Sequence, residues 1–124
     1  MGKSTVFDRI KRELLSLVQS IPNGKVAELS NVSAALNVPP RHVAYIISQL
    51  TEDEQDMVGW HRVVPTGGRF PPQAKRSSRH AKQLTLLAAE GVSLDPAGKV
   101  MDFERLVAEL PIENASTIWA DEVE

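Results

Sequence analysis

Apolar residues recur at helical spacing near the start of the chain. Val6, Ile10, Leu14, Leu17 and Val18 fall on one face of a helix running from Ser4 to Ser20. Ser4 or Thr5 is placed to cap it, and Ile21-Pro22-Asn23-Gly24 stops it with turn chemistry. Lys25-Val26-Ala27 reads only as a brief extended link. Leu29, Val32, Ser33 and Leu36 give a short second helix. Asn37-Val38-Pro39 breaks it, because Asn tolerates the left-handed region and Pro disfavours helix in the residue before it. Pro40 suits the first turn of a third helix carrying Val43, Ile46, Ile47 and Leu50. Two short helices joined by a tight turn are the shape that enters a DNA groove with the N-terminal part of the second helix forward, where Arg41 and His42 lie. A plain helical hairpin fits the same pattern.

Farther along, Thr51-Glu52-Asp53-Glu54-Gln55-Asp56 reads as an acidic connector. Trp60 to Phe70 then reads as strand, turn, strand: Arg62-Val63-Val64, Pro65-Thr66-Gly67-Gly68, Arg69-Phe70, ended by Pro71-Pro72. The spacing predicts a basic helix from Ser77 to Ala89 with Ala81, Leu84, Leu87 and Ala88 inward and Gly91 as its stop. Val92-Ser93-Leu94 and Lys99-Val100-Met101 flank Asp95-Pro96-Ala97-Gly98 as a hairpin, and Asp102 is placed to cap a last short helix through Leu110. Glu113 to Glu124 is acidic, carries Trp119 and has no pattern, which predicts a mobile tail. A helix-turn-helix followed by a small β-ribbon is the layout of a winged helix. The expected class is α+β, mostly α, with one domain over residues 1–112 and a tail over 113–124.

Composition sharpens this picture at two points. The chain has 124 residues and no cysteine, which removes disulfides, thiolate metal sites and cysteine nucleophiles. The net charge of −2 hides a strong asymmetry. From Val58 to Ala89 stand Arg62, Arg69, Lys75, Arg76, Arg79 and Lys82 without one acid, whereas Glu90 to Glu124 holds nine acids and two bases. A basic stretch of this kind can track a phosphate backbone; it is also what a solvated face looks like. His80 reads as a surface residue. No apolar run approaches the ~20 residues of a membrane span, the first eight residues show no signal-peptide pattern, and no metal or cofactor motif appears, so neither membrane nor cofactor is expected.

Four segments occur in order: I-P-N-G-K-V (Ile21 to Val26), the helix-turn-helix, W-H-R-V-V (Trp60 to Val64) with glycines after it, and L-L-A-A-E-G-V (Leu86 to Val92). Together they resemble the DNA-binding domain of O6-alkylguanine-DNA alkyltransferases, whose active-site motif is P-C-H-R-V. With tryptophan in the cysteine position, the chain is most similar to the alkyltransferase-like proteins, which carry P-W-H-R-V.

The resemblance implies a pocket for an alkylated guanine built from Trp60, His61, Arg62, Val63 and Glu90. In the alkyltransferases the histidine and glutamate at the positions of His61 and Glu90 form the relay that activates the thiol. DNA contacts are expected at Leu29, Ser30, Pro40, Arg41, His42, Ala44 and Tyr45 in the helix-turn-helix and at Arg69, Lys75, Arg76 and Arg79 in the basic stretch. The chain departs from the family pattern in three places. Leu29 and Ser30 stand where the nucleotide-flipping tyrosine and its glycine belong. Ala44, or Val43 with a one-residue shift, stands where the intercalating arginine belongs, with Arg41 and Tyr45 close enough to compensate. Gly59 replaces the proline before Trp60. Without a thiol, alkyl transfer to sulfur is excluded.

The expected function is therefore non-catalytic binding of double-stranded DNA carrying O6-alkylguanine, by a monomer, in the cytoplasm or nucleoid of a bacterium or the nucleus of a eukaryote. Such binding would flag the lesion for nucleotide excision repair proteins. A winged helix that binds or regulates DNA without reading lesions, and a protein-interaction module, are the alternatives. Trp60 itself suits either the floor of a base pocket or the core.

Overall fold

The computed structural model describes residues 2–108 and 110, with side chains from Asp8 onward, so the expected tail at 113–124 and Trp119 lie outside the described residues. Helix α1 (Gly2–Gln19) starts ahead of its expected caps, so Ser4 and Thr5 are inside it. Leu14 and Val18 are fully or almost fully buried, and Ile10 and Leu17 pack partly against the same cluster, as the apolar series requires. Helices α2 (Leu29–Leu36) and α3 (Pro40–Ser48) form the expected pair. Asn37 ends α2 in the left-handed region at φ 57°, and Pro40 occupies the first turn of α3.

The acidic connector is a helix, α4 (Glu52–Val58). Its apolar content gives no helical stripe, but its start is chemically marked. The Thr51 hydroxyl accepts from the Glu54 amide, and the Glu54 carboxylate accepts from the Thr51 amide at 2.9 Å. Helix α5 (Ser78–Ala89) covers the expected span except for its first residue, Ser77, which caps it, and it ends next to Glu90. Its inward face differs from expectation: Gln83 and Leu87 are buried, whereas Ala81 and Ala88 are exposed. Helix α6 is shorter than expected (Phe103–Leu106), and Asp102 precedes it in the left-handed region without a side-chain cap.

The largest correction concerns the sheet. Arg62–Phe70 does not fold back on itself. Strand β1 (Ala27–Glu28) pairs in parallel with strand β2 (Val63–Val64), Ala27 opposite Val63 and Glu28 opposite Val64. Arg69 instead bridges antiparallel to Lys99, while the expected turn at Asp95–Gly98 is present with Leu94 against Val100. Of the Lys25–Ala27 link, Ala27 is thus in the sheet, and Val26 makes a separate parallel bridge to Val107, held by Leu106 and Ala108 backbone at 3.0 and 2.7 Å. Alternation along β2 divides the interior. Val63 and Ala27 belong to a cluster with α1, α2, α3 and Trp60, whereas Val64 and Val26 join Phe70, Leu87, Val92, Val100 and Phe103.

Gly68 closes the turn after β2 at φ +71°, where an added Cβ would lie 2.6 Å from the Phe103 ring. Gly68→Ala is expected to lower stability by roughly 1–3 kcal/mol through backbone strain and by a similar amount through overpacking. A urea titration checks this.

Candidate DNA-lesion site

Gly59 ends α4 at φ +67°, and the chain turns at once into a single 3-10 turn formed by Trp60, His61 and Arg62. Proline, with φ fixed near −65°, cannot take that conformation. The replacement of proline by Gly59 is therefore a change of backbone path into the site. The turn is fixed from behind by Gln83, whose amide donates to the His61 carbonyl at 3.1 Å and the Val63 carbonyl at 2.7 Å. Sequence reading missed Gln83, although it lies four residues before Leu87 on the same helix face.

Glu90, just past the end of α5, ties two other segments to its own. Its Oε1 accepts from the Gly24 amide and from Arg62 Nε, both at 3.0 Å. Its Oε2 accepts from Arg62 Nη2 and bonds His61 Nε2, both at 2.7 Å. Arg62 Nη1 donates to the Ile21 carbonyl at 3.1 Å, so the I-P-N-G loop is tied to the same knot. Burial acts to raise the Glu90 carboxyl, but hydrogen bonds from Arg62, the Gly24 amide and His61 outweigh it and lower its pKa from 4.5 to about 2. Glu90 is thus a carboxylate at neutral pH and can only accept, which puts the shared proton on His61 Nε2. The expected His61–Glu90 pairing is present, and Arg62 is its main electrostatic partner.

Trp60 is 4% exposed and packs in the first core cluster, yet it also forms a wall of two adjoining clefts. The first, about 170 Å³, lies among Leu29, Ala44, Val63, Val64, Pro65 and Gln83. The second, about 320 Å³, lies among Gln55, Ser78 and Lys82. Ile47, Trp60 and Arg79 border both. Of the expected pocket residues, Trp60 and Val63 line a cleft, while His61, Arg62 and Glu90 form the support behind the turn.

The expected DNA contacts divide in the same way. Val43 is fully buried, so of the two positions aligned with the intercalating arginine only Ala44 faces outward. Arg41, His42 and the 57% exposed Tyr45 are the large side chains that α3 presents beside it, with Pro40 exposed at its start. Leu29 and Ser30 are half-buried at the start of α2, Leu29 against the core. Arg69 and Lys75 are exposed. Arg76 is engaged by its own loop, donating to the Pro71 carbonyl at 2.8 Å, and Arg79 reaches from α5 to the Ser48 carbonyl at 3.3 Å. His80 is half-buried rather than on the surface, edge-on to Phe70 and part of the cap of α5. Among the described residues no group of three potential ligands could hold a metal.

Residues 9–92 match the family described as the 6-O-methylguanine DNA methyltransferase DNA-binding domain. No curated protein matches the chain. Among solved structures, S. pombe Atl1 in complex with damaged DNA containing O6-carboxymethylguanine is similar in fold, with TM-score 0.66 and 21% identity over 82% of this chain and 96% of that one. S. pombe ATL in complex with DNA is similar at TM-score 0.67 and 20% identity, with the same coverage.

Proposed function

Since the chain belongs to the family of the 6-O-methylguanine DNA methyltransferase DNA-binding domain, we propose that it binds DNA carrying O6-alkylguanine without reacting with it. The observation that carries this reading is the first cleft, which opens beside the indole of Trp60 on the side of α2 and α3. In a chain without cysteine, that indole stands where the family's sulfur nucleophile would be, and it cannot accept an alkyl group under mild conditions. A flat ring on the wall of such a cleft can pack against an extruded base, an interaction that contributes ~1–3 kcal/mol. The His61–Glu90–Arg62 knot, which would serve a thiol in an alkyltransferase, here keeps the turn rigid.

Extrusion of a nucleotide leaves a gap that a side chain must fill. Arg41, exposed in the first turn of α3, and Tyr45, one turn on, are the groups with the reach to do this, since Ala44 ends at its β-carbon. Arg69 and Lys75 add phosphate contacts on the reading that the basic stretch follows the backbone. A complex that shields the lesion without consuming it would present it to nucleotide excision repair proteins. Leu29 and Ala44 favour a second reading, DNA binding without lesion preference, because neither supplies the aromatic or cationic group expected there.

Titration of fluorescent duplexes with and without one O6-methylguanine, across a range of salt, separates the two. The expected result is salt-sensitive binding of both with tighter binding of the modified duplex. Equal affinity at low salt would leave only the second reading, and no binding would remove both.

A further inference from the structure

The second cleft carries positive charge that the described residues leave unbalanced. Arg79, Lys82, Ser78 and Gln55 stand around Ile47 and Trp60, and no carboxylate lines it. Lys82 Nζ lies 3.4 Å from Gln55 Oε1, and Arg79 Nη2 lies 3.3 Å from the Ser48 carbonyl, both long for hydrogen bonds from charged donors. Its volume of about 320 Å³ falls in the ~300–1,000 Å³ range of sites that receive small aromatic groups. The chain itself holds the complement. Residues 111–124 include Glu113, Asp121, Glu122 and Glu124 and no base, and Ile118-Trp119-Ala120 directly precedes Asp121-Glu122.

We propose that residues 113–124 dock in this cleft of their own molecule, the Trp119 ring against Ile47 and Trp60 and the flanking carboxylates on Arg79 and Lys82, and that DNA has to displace them. Leu110 packs against the cluster that contains Trp60 and has Ile47 at its margin, so the chain passes beyond Leu110 from the same hydrophobic body that the cleft borders. Nine residues separate Leu110 from Trp119, a span of up to about 30 Å of extended chain. A domain of this size has a radius of gyration of only about 13 Å. The tether gives the segment a local concentration in the millimolar range, so a contact of submillimolar affinity is mostly occupied. Competition follows from charge, because carboxylates and phosphates call on the same cations. That last step rests on the DNA-binding reading; the contact itself does not.

The contact is read in the full chain from the indole N–H signals of a proton–nitrogen correlation spectrum. The Trp119 signal is assigned by its loss in Trp119→Ala, and a synthetic peptide of residues 111–124 gives its undocked position. In the unaltered protein the signal is expected away from the peptide position. Lys82→Glu, at an exposed position of α5, puts a repelling charge in the cleft and is expected to return the signal to the peptide position. A signal already at the peptide position, or one that Lys82→Glu leaves unmoved, overturns the proposal. A position that varies with protein concentration overturns it in favour of the same segment reaching a second copy. Competition is read by anisotropy with unmodified duplex at low salt. A segment that fills the cleft nine-tenths of the time weakens apparent DNA affinity about tenfold. Trp119→Ala, which leaves the net charge unchanged, is therefore expected to bind several-fold to about tenfold more tightly. Unchanged affinity overturns the competition with DNA. Failure of both proteins to bind any duplex would remove the DNA-binding reading instead, while the indole signal still decides whether the segment docks.

Discussion

Trp60→Ala is expected to abolish discrimination between modified and unmodified duplex while leaving most of the salt-dependent binding. Trp60 lines both clefts, so its truncation would remove the ring that the proposed reading sets against a base. Loss of one aromatic–base stack corresponds to ~1–3 kcal/mol, or about one to two decades of affinity, all of it in the lesion-specific part. Phosphate contacts made by exposed cations such as Arg69 and Lys75 do not involve Trp60 and should persist. The same side chain is 4% exposed and packs with Val58 and Val63, so truncation also costs roughly 3–5 kcal/mol of stability. Trp60→Phe separates the two effects by keeping a ring in place. Anisotropy titrations at a temperature where each variant is folded measure the outcome. A folded Trp60→Ala protein that still prefers the modified duplex would remove the indole from lesion reading.

The second large effect is on stability. Glu90→Gln at neutral pH is expected to cost about 1–3 kcal/mol, the range for hydrogen bonds to a charged group lost in a partly buried site. Arg62 would lose a bidentate acceptor and keep only the Ile21 carbonyl among its bonds in the knot. In the unaltered protein the folded-state pKa of Glu90 is about 2, below its ordinary 4.5. The stabilisation is therefore complete above about pH 4.5 and is lost progressively as pH falls towards 2. Urea unfolding at pH 7, 4 and 3 should show this decline, and Glu90→Gln should flatten it. Unchanged stability of the variant at pH 7 would contradict the assigned role of the knot.

What could be read from the chain follows how local each signal is. The α2–α3 pair was legible because Asn37, Pro39 and Pro40 act on their own neighbours, and α5 was legible from its apolar spacing and from Gly91 at its end. Helix α4 is marked in the sequence by the Thr51–Glu54 cap alone, because its run of acids carries no apolar stripe. The parallel β1–β2 pair had no such signal. Each strand has two residues, and nothing near Ala27 reports a partner 36 positions away at Val63. The turn residues Pro65 to Gly68 pointed to a local hairpin, and packing against Phe103 and Lys99 prevailed. At the site, family resemblance paired His61 with Glu90. The Gly24 amide and the Gln83 amide were invisible because their partners are a remote carboxylate and backbone carbonyls.

The backbone hold on Val26 bears on where the folding unit ends. Residues 9–92 carry the family match, yet Leu106 and Ala108 complete the hydrogen bonding of Val26, and Val100 and Phe103 fill one of the two hydrophobic clusters. A fragment trimmed to the matched span would expose that cluster and leave the Val26 edge open to pair with another chain. The matched span is thus shorter than the packed unit, which among the described residues reaches at least to Ala108.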